Sequence, residues 1–128
     1  MRLYVDSSAF VAAVAGEAGS RPMREILAGE HPAIASALLQ IEAARALAGC
    51  SAAVRARADD MLRTIDLVDI DRGIVDRAAQ LAPGVRLRSL DAIHLATALS
   101  VPEPVTMITL DQRLKAASML VGVRLATT

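Results

Sequence analysis

The sequence predicts an α/β fold, a three-layer α/β/α sandwich with a mostly parallel sheet of four to five strands. Short apolar runs of strand length alternate along the chain with longer segments rich in Ala and Leu. In the longer segments the apolar residues recur at helical spacing, and Gly, Pro and Ser mark the boundaries. Strands that alternate with helices indicate β–α–β crossovers, so we expect a parallel sheet with helices on both faces.

The first half of the chain predicts two strands and four helices. Pro22 lies where the first turn of a helix tolerates it, and Ser36 and Ser51 are favoured residues at the start of a helix. Gly16 and Gly49 end helices. In order, the elements are a strand at 3–5, helices at 7–15 and 20–29, a strand at 32–35, and helices at 36–48 and 51–63.

The second half predicts three strands and three helices. In the strand at 64–70 both faces mix apolar and acidic residues, which favours an exposed or edge position. Pro83 and Gly84 mark a turn. The other elements are helices at 73–81 and 90–99, a strand at 105–109, a helix at 111–119 and a strand at 121–125.

Composition limits the functions that the chain can serve. Of its 128 residues, 54% are hydrophobic, which is enough for the core of one domain spanning residues 1–128. Tyr4 and Phe10 are its only aromatic residues, and the formal net charge is zero. These values exclude an RNA-binding module built on stacked aromatics and a binder held by excess positive charge. They permit a nucleic-acid enzyme whose charges lie on separate faces.

The expected cellular setting rests on three further features. Cys50 is the single cysteine, so it forms no internal disulfide, and no Cys/His cluster offers a zinc site. No uncharged run approaches the roughly 18 residues that span a bilayer. Asp6 lies where a secretory signal would carry only positive charge. We therefore expect a cytoplasmic protein without membrane association.

Acidic residues follow the strands of the predicted sheet. Asp6 follows the first strand and Asp111 the fourth, and folds of this class bind ligands beyond the carboxyl ends of their strands. Asp91 opens a later helix, and Glu42 lies in the middle of an Ala-rich one. Taken singly, each aspartate is more simply a helix cap, and Glu42 is a surface partner of Arg45.

Carboxylates that converge at one edge of a sheet repel one another unless a cation joins them. Oxygen ligands without Cys or paired His select a hard ion, Mg²⁺ or Mn²⁺. Such an ion activates water and stabilises charge on a phosphoryl group. The four acids therefore predict a metal site if the fold brings them together.

Other polar residues near these acids have two interpretations. His94 lies three residues after Asp91, where a metal ligand or general base would fit, but a lone His among apolar residues is more often a hydrogen-bonded packing residue. Arginines that flank the acids are candidate phosphate ligands, although arginines on helix surfaces usually form solvated ion pairs. These candidates are Arg45, Arg86, Arg88 and Arg113.

Four segments of the chain resemble the PIN-domain ribonucleases, and within them the small VapC-type toxins of toxin–antitoxin pairs. They are LYVDSS at 3–8, SALLQIEAARA at 36–46, RLRSLDAIHLATA at 86–98 and ITLDQRLKAA at 108–117. The segments follow the order and spacing of the family, and the LDAIHLA block is the most specific of them.

The resemblance implies a PIN-like fold over residues 1–128 and an endoribonuclease that depends on Mg²⁺ or Mn²⁺. The acidic quartet of the family corresponds to Asp6, Glu42, Asp91 and Asp111, and its supporting polar positions to Ser7 and Thr109. The implied reaction hydrolyses an RNA phosphodiester, often in transfer or ribosomal RNA, and leaves a 5′-phosphate and a 3′-hydroxyl. Family members usually form homodimers and assemble further with a cognate antitoxin that covers the site.

Two other functions stay open at this stage. A catalytically silent PIN domain would act as a binding partner in a complex. A receiver domain or a haloacid-type phosphatase is disfavoured. The phosphatase needs an Asp-x-Asp pattern after the first strand, and this chain has Asp6-Ser7-Ser8 there. Lys115 also lies too far into its helix for the lysine of a receiver.

Overall fold

The strands form one parallel sheet between two layers of helices, as predicted. The computed structural model describes residues 2–16, 20–81 and 87–126. Within them the sheet has five strands, all parallel, in the order β3-β2-β1-β4-β5. They are β1 (Leu3–Val5), β2 (Ala33–Ser36), β3 (Ile65–Val68), β4 (Thr106–Ile108) and β5 (Arg124–Leu125). The third strand lies at an edge of the sheet, where its mixed pattern predicted it.

Helices connect each strand to the next. They are α1 (Ser7–Ala15), α2 (Arg21–Ala28), α3 (Leu38–Ala46), α4 (Ala52–Leu62), α5 (Arg72–Gln80), α6 (Ser89–Ser100) and α7 (Gln112–Leu120). In the described part of the chain, no helix is long and apolar enough to cross a membrane.

The helix ends follow from local sequence. Asp6, Ser51, Asp71 and Asp111 each cap a helix by accepting a hydrogen bond from a backbone N–H two or three residues later. Gly16 ends α1 with a φ of 70°, a left-handed conformation that other residues rarely adopt. These caps account for the helix starts after β1, β3 and β4.

Some predicted boundaries were wrong. Ser36 is the last residue of β2 and does not cap α3, although its Oγ accepts a hydrogen bond from the Leu38 amide. The last strand is two residues long, because α7 continues to Leu120 and Gly122 then turns the chain with a φ of 82°. The predicted turn at 83–84 lies outside the described residues.

Alternate residues of the strands pack into separate cores on the two faces of the sheet. Val5 and Phe10 belong to the core beneath α1–α4, whereas Tyr4 belongs to the core beneath α6 and α7. Tyr4 and Phe10 are both fully buried. Both of these aromatic side chains therefore pack in the interior of the protein.

The order of the strands places a crevice beside β1. The chain leaves β1 for β2 on one side, and later enters β4 on the other side of β1. Connections from adjacent strands that diverge in this way open a crevice at the carboxyl ends of the strands, where α/β folds bind ligands. Asp6 directly follows β1, and Thr109 and Asp111 follow β4, so all three lie at this crevice.

The cap of α5 allows a first test of the fold. Asp71 is exposed, and its Oδ1 accepts a hydrogen bond of 2.9 Å from the Ile74 amide. We expect Asp71→Ala to lower the free energy of unfolding by about 1 kcal/mol, because the amide loses its partner. Urea unfolding followed by circular dichroism measures the change. Asp69→Ala, two residues earlier and also exposed, is the control and should have little effect.

Candidate active site at the carboxyl edge of the sheet

Asp6 is held between the ends of β1 and β4. Its carboxylate accepts hydrogen bonds from the Thr109 hydroxyl at 2.6 Å, the Ser8 hydroxyl at 2.8 Å and the Ala9 amide at 3.1 Å. The two hydroxyls in turn accept hydrogen bonds from the Leu110 and Asp111 amides. A continuous network thus fixes the carboxylate at the crevice.

The Asp6 carboxylate retains capacity for another partner. The carboxylate accepts three hydrogens, from Ser8, Ala9 and Thr109, and it has roughly four lone-pair sites. Burial raises the pKa of Asp6, and the three hydrogen bonds and the charge of His94 oppose that rise. The folded protein therefore penalises this charge in part, and a cation would relieve the penalty.

Ser8 contacts the Asp6 carboxylate directly. Ser7, one of the two predicted supporting residues, and Ser8 both line a groove beside the site, and Ser8 Oγ contacts both oxygens of Asp6. Ser8 lies in the first turn of α1 and points back to the cap. A serine two residues after a capping aspartate is the local signal that could have identified it. Thr109 also donates to Asp6, and the supporting role assigned to it stays a prediction.

Arg88 forms ion pairs with both Asp91 and Asp111. Arg88 Nε lies 3.5 Å from Asp91 Oδ2, and Arg88 Nη2 lies 3.5 Å from Asp111 Oδ2. Asp111 also caps α7 through the Arg113 and Leu114 amides. Arg88 therefore bridges two of the predicted acids in this structure.

One carboxylate oxygen of Asp91 lacks a hydrogen bond within the described part of the chain. Its Oδ2 is shielded from solvent and accepts no hydrogen bond from the described residues. Burial raises the pKa of Asp91, the charges of Asp111 and Glu42 raise it further, and Arg88 and His94 lower it. A buried carboxylate oxygen without a hydrogen bond beside other acids is the arrangement that a cation stabilises.

Glu42 has a different partner from the one that the sequence suggested. Its Oε1 lies 2.6 Å from His94 Nε2, and its side chain is 20% exposed. His94 Nδ1 lies 2.7 Å from the Tyr4 hydroxyl. His94 is thus a buried, hydrogen-bonded residue, as the packing interpretation predicted, but it also contacts one of the candidate acids.

The candidate phosphate ligands differ in position. Arg45 and Arg113 are exposed, and Arg45 lines the groove beside the site. Arg88 is exposed and pairs with two acids. Arg86 lies outside the described residues.

The donors fit a hard divalent cation, although they do not form a ready cage. Across residues 2–16, 20–81 and 87–126, no three His, Cys, Asp or Glu side chains lie close enough to hold a metal ion together. Mg²⁺ usually keeps several waters and binds through one or two carboxylates. The oxygen donors meet that lower requirement, among them Asp91 Oδ2, which accepts no hydrogen bond from the described residues.

An apolar groove adjoins the acids. Ser7, Glu42 and Arg45 lie along it, and three exposed aliphatic side chains flank it. These are Ile41, Leu90 and Leu110, which are 57%, 48% and 41% exposed. Aliphatic residues clustered at such exposures are typical of a surface that binds another protein.

Comparison with known proteins gives a consistent result. The PIN domain family profile matches residues 3–119. The chain is 36% identical to Ribonuclease VapC46 of Mycobacterium tuberculosis over 121 residues, which cover 94% of this chain and 92% of that protein.

Solved structures with the same fold include two proteins of related description. One is VapC20 of Mycobacterium tuberculosis, a sarcin–ricin loop cleaving toxin, with a TM-score of 0.71, 18% identity, and coverage of 90% of this chain and 94% of that one. The other is a toxin–antitoxin complex from Klebsiella pneumoniae, with a TM-score of 0.65, 20% identity, and coverage of 85% and 86%. At these identities the likeness concerns the fold alone.

Proposed function

Because the chain belongs to the PIN-domain family and to its VapC-type branch, we propose that it is a metal-dependent endoribonuclease, the toxin of a toxin–antitoxin pair. The observation that carries the proposal is a buried aspartate, Asp6, together with a shielded carboxylate oxygen of the half-buried Asp91. Asp6 is fixed by three donors and keeps room for another partner, and Asp91 has a buried oxygen without a hydrogen bond. VapC46, the relative named above, is described as a ribonuclease.

The proposed metal ligands are Asp6 and Asp91, with Asp111 and Glu42 beside them. Mg²⁺ or Mn²⁺ bound there supplies an activated water and stabilises charge on the phosphoryl group. The protein contributes orientation, because Ser8 and Thr109 hold the Asp6 carboxylate between two strand ends. Arg88, which bridges Asp91 and Asp111 in this structure, is exposed enough to turn to a phosphate.

The proposed substrate is a structured RNA, transfer or ribosomal, cut to leave a 5′-phosphate and a 3′-hydroxyl. Arg45 and Arg113 are exposed near the acids and suit the phosphate backbone. Tyr4 and Phe10 are fully buried and the chain has no Trp, so no Tyr, Phe or Trp ring is available to stack on a base. Recognition therefore rests on backbone contacts, hydrogen bonds and RNA shape.

The proposed protein partner is a cognate antitoxin, which would bind the groove flanked by Ile41, Leu90 and Leu110. This groove is apolar at its rim and reaches Glu42, so an occupant would cover that acid as well. The Klebsiella pneumoniae protein of the same fold is described as a toxin–antitoxin complex. A homodimer within a larger toxin–antitoxin assembly, acting in the cytoplasm, completes the proposal.

Removal of the metal tests the proposed reaction. We expect the purified protein to cut structured cellular RNA with Mg²⁺ or Mn²⁺ and to lose this activity in EDTA, because the proposed carboxylate site needs a cation to hold the phosphoryl group. Gel electrophoresis of end-labelled RNA measures cleavage and identifies the 5′-phosphate. Excess Mg²⁺ added after EDTA should restore activity, which controls for damage to the protein.

Two outcomes would contradict the proposal. Cleavage that persists in EDTA would exclude a metal mechanism. Absence of cleavage on total transfer and ribosomal RNA with either metal would favour the catalytically silent PIN domain, a binding partner without nuclease activity.

A further inference from the structure

A buried chain of hydrogen bonds runs from the central strand to the edge of the candidate site. It joins the Ser36 amide, the Tyr4 hydroxyl, His94 and Glu42, with distances of 3.1, 2.7 and 2.6 Å. Ser36, Tyr4 and His94 are at most 1% exposed. Of these four residues only Glu42, at the end of the hydrogen-bond series, reaches solvent.

The direction of two of these hydrogen bonds follows from their donors and acceptors. The Ser36 amide can only donate, so the Tyr4 oxygen accepts from it, and the same hydroxyl group contacts His94 Nδ1. Burial raises the pKa of Tyr4, so this hydroxyl keeps its proton. The Glu42 carboxylate can only accept, so His94 Nε2 carries a hydrogen and donates it to Glu42 Oε1.

These hydrogen bonds also connect the two layers of helices. Glu42 lies on α3, whose apolar residues belong to one core, and His94 lies on α6, whose apolar residues belong to the other. Tyr4, on the central strand, sets the position of the imidazole ring. A glutamate held by such a chain has fewer accessible rotamers than one on a free helix surface.

We propose that His94 is the positioning residue for Glu42: its Nε2–H fixes Oε1 and leaves Oε2 to face the cation. This inference rests on the proposed metal-dependent nuclease, and it adds a residue that touches neither metal nor RNA. Oε2 has no hydrogen-bond partner among the described residues. Carboxylates that bind metals are commonly oriented by such outer hydrogen bonds, whose loss typically weakens metal affinity or activity about 10- to 100-fold.

Metal affinity of matched variants tests the role of His94. We expect His94→Leu to weaken Mn²⁺ binding about 10- to 100-fold in isothermal titration calorimetry, because Glu42 loses its anchor. In His94→Gln the side-chain amide can still donate to Glu42, so the affinity should stay close to the wild-type value. Thermal unfolding of each variant, without metal, identifies any loss of fold.

A double-mutant cycle separates positioning from a general structural effect. If His94 acts through Glu42, then His94→Leu should weaken Mn²⁺ binding little further in a protein that already carries Glu42→Gln. Equal losses in both backgrounds would overturn the proposal, since His94 would then act independently of Glu42. Equal Mn²⁺ affinity of the wild type and His94→Leu would overturn it as well.

The wild-type protein offers a test that needs neither metal nor a variant. In ¹⁵N NMR of the metal-free protein, His94 should have a protonated Nε2. An unprotonated Nε2 would overturn the proposed hydrogen bond to Glu42. A wild-type protein that binds no Mn²⁺ and cuts no RNA would overturn the proposed function together with this inference, whereas the outcomes above overturn this inference alone.

Discussion

Replacement of Asp6 with asparagine should reduce RNA cleavage about 10³-fold or more, equivalent to roughly 4 kcal/mol of transition-state stabilisation. Asp6 is the acid that the fold fixes most firmly, through Ser8, Ala9 and Thr109. Asparagine keeps the shape of the side chain but removes the charge that a cation needs. The hydroxyls of Ser8 and Thr109 can rotate to accept from the new amide, so the fold should persist. Cleavage of end-labelled RNA under single-turnover conditions measures the loss.

A capping residue elsewhere in the chain provides the matched control. Asp6 caps α1 through the Ala9 amide, and Asp71 caps α5 in the same way through the Ile74 amide. Asp71→Asn therefore repeats the chemical change and the local role at a position away from the site, and should leave cleavage unchanged. Equal losses in the two variants would mean that Asp6 is only a helix cap. Full activity of Asp6→Asn would indicate a contaminating nuclease.

The fold was predictable because its signals are local. Runs such as Leu3–Val5 and caps such as Ser51 and Asp111 determine elements within a few residues of themselves. Their alternation then requires a parallel sheet with helices on both faces. The wrong boundaries lie where tertiary contacts decide: Ser36 extends β2 because it pairs with Val68 in β3, so α3 begins two residues after Ser36.

The acids of the site were predictable in identity but not in partners. Asp6 and Asp111 follow strands, so their place at the crevice follows from the topology. The pairing of Glu42 with His94 joins residues 52 positions apart on helices from opposite layers, and no sequence spacing indicates it. Arg88 lies three residues before Asp91, which is a local signal, but its second contact, with Asp111, depends on the sheet order.

Asp91→Asn should change activity and stability in opposite directions. Loss of a proposed metal ligand should reduce RNA cleavage about 10²- to 10³-fold. The metal-free variant should nevertheless be more stable than the wild type at neutral pH, because burial and the charge of Asp111 raise the pKa of Asp91 and so penalise its ionised form. Thermal unfolding in EDTA measures the gain, and single-turnover cleavage measures the loss.

The sign of the pH dependence distinguishes this explanation from a general packing effect. A carboxyl whose pKa is raised by folding binds its proton more tightly in the folded state than in the unfolded chain. The metal-free wild type should therefore lose stability as the pH rises from the ordinary aspartate pKa through the raised pKa of Asp91, and then change no further on this account. Asp91→Asn should lack that part of the decline, and Mn²⁺ should stabilise the wild type more than the variant.

Asp76→Asn, which changes an exposed acid on α5, is the control and should keep the wild-type profile. A metal-free Asp91→Asn protein that is less stable than the wild type at neutral pH would mean that the Asp91 charge stabilises the fold, and its assignment to a cation would then be wrong.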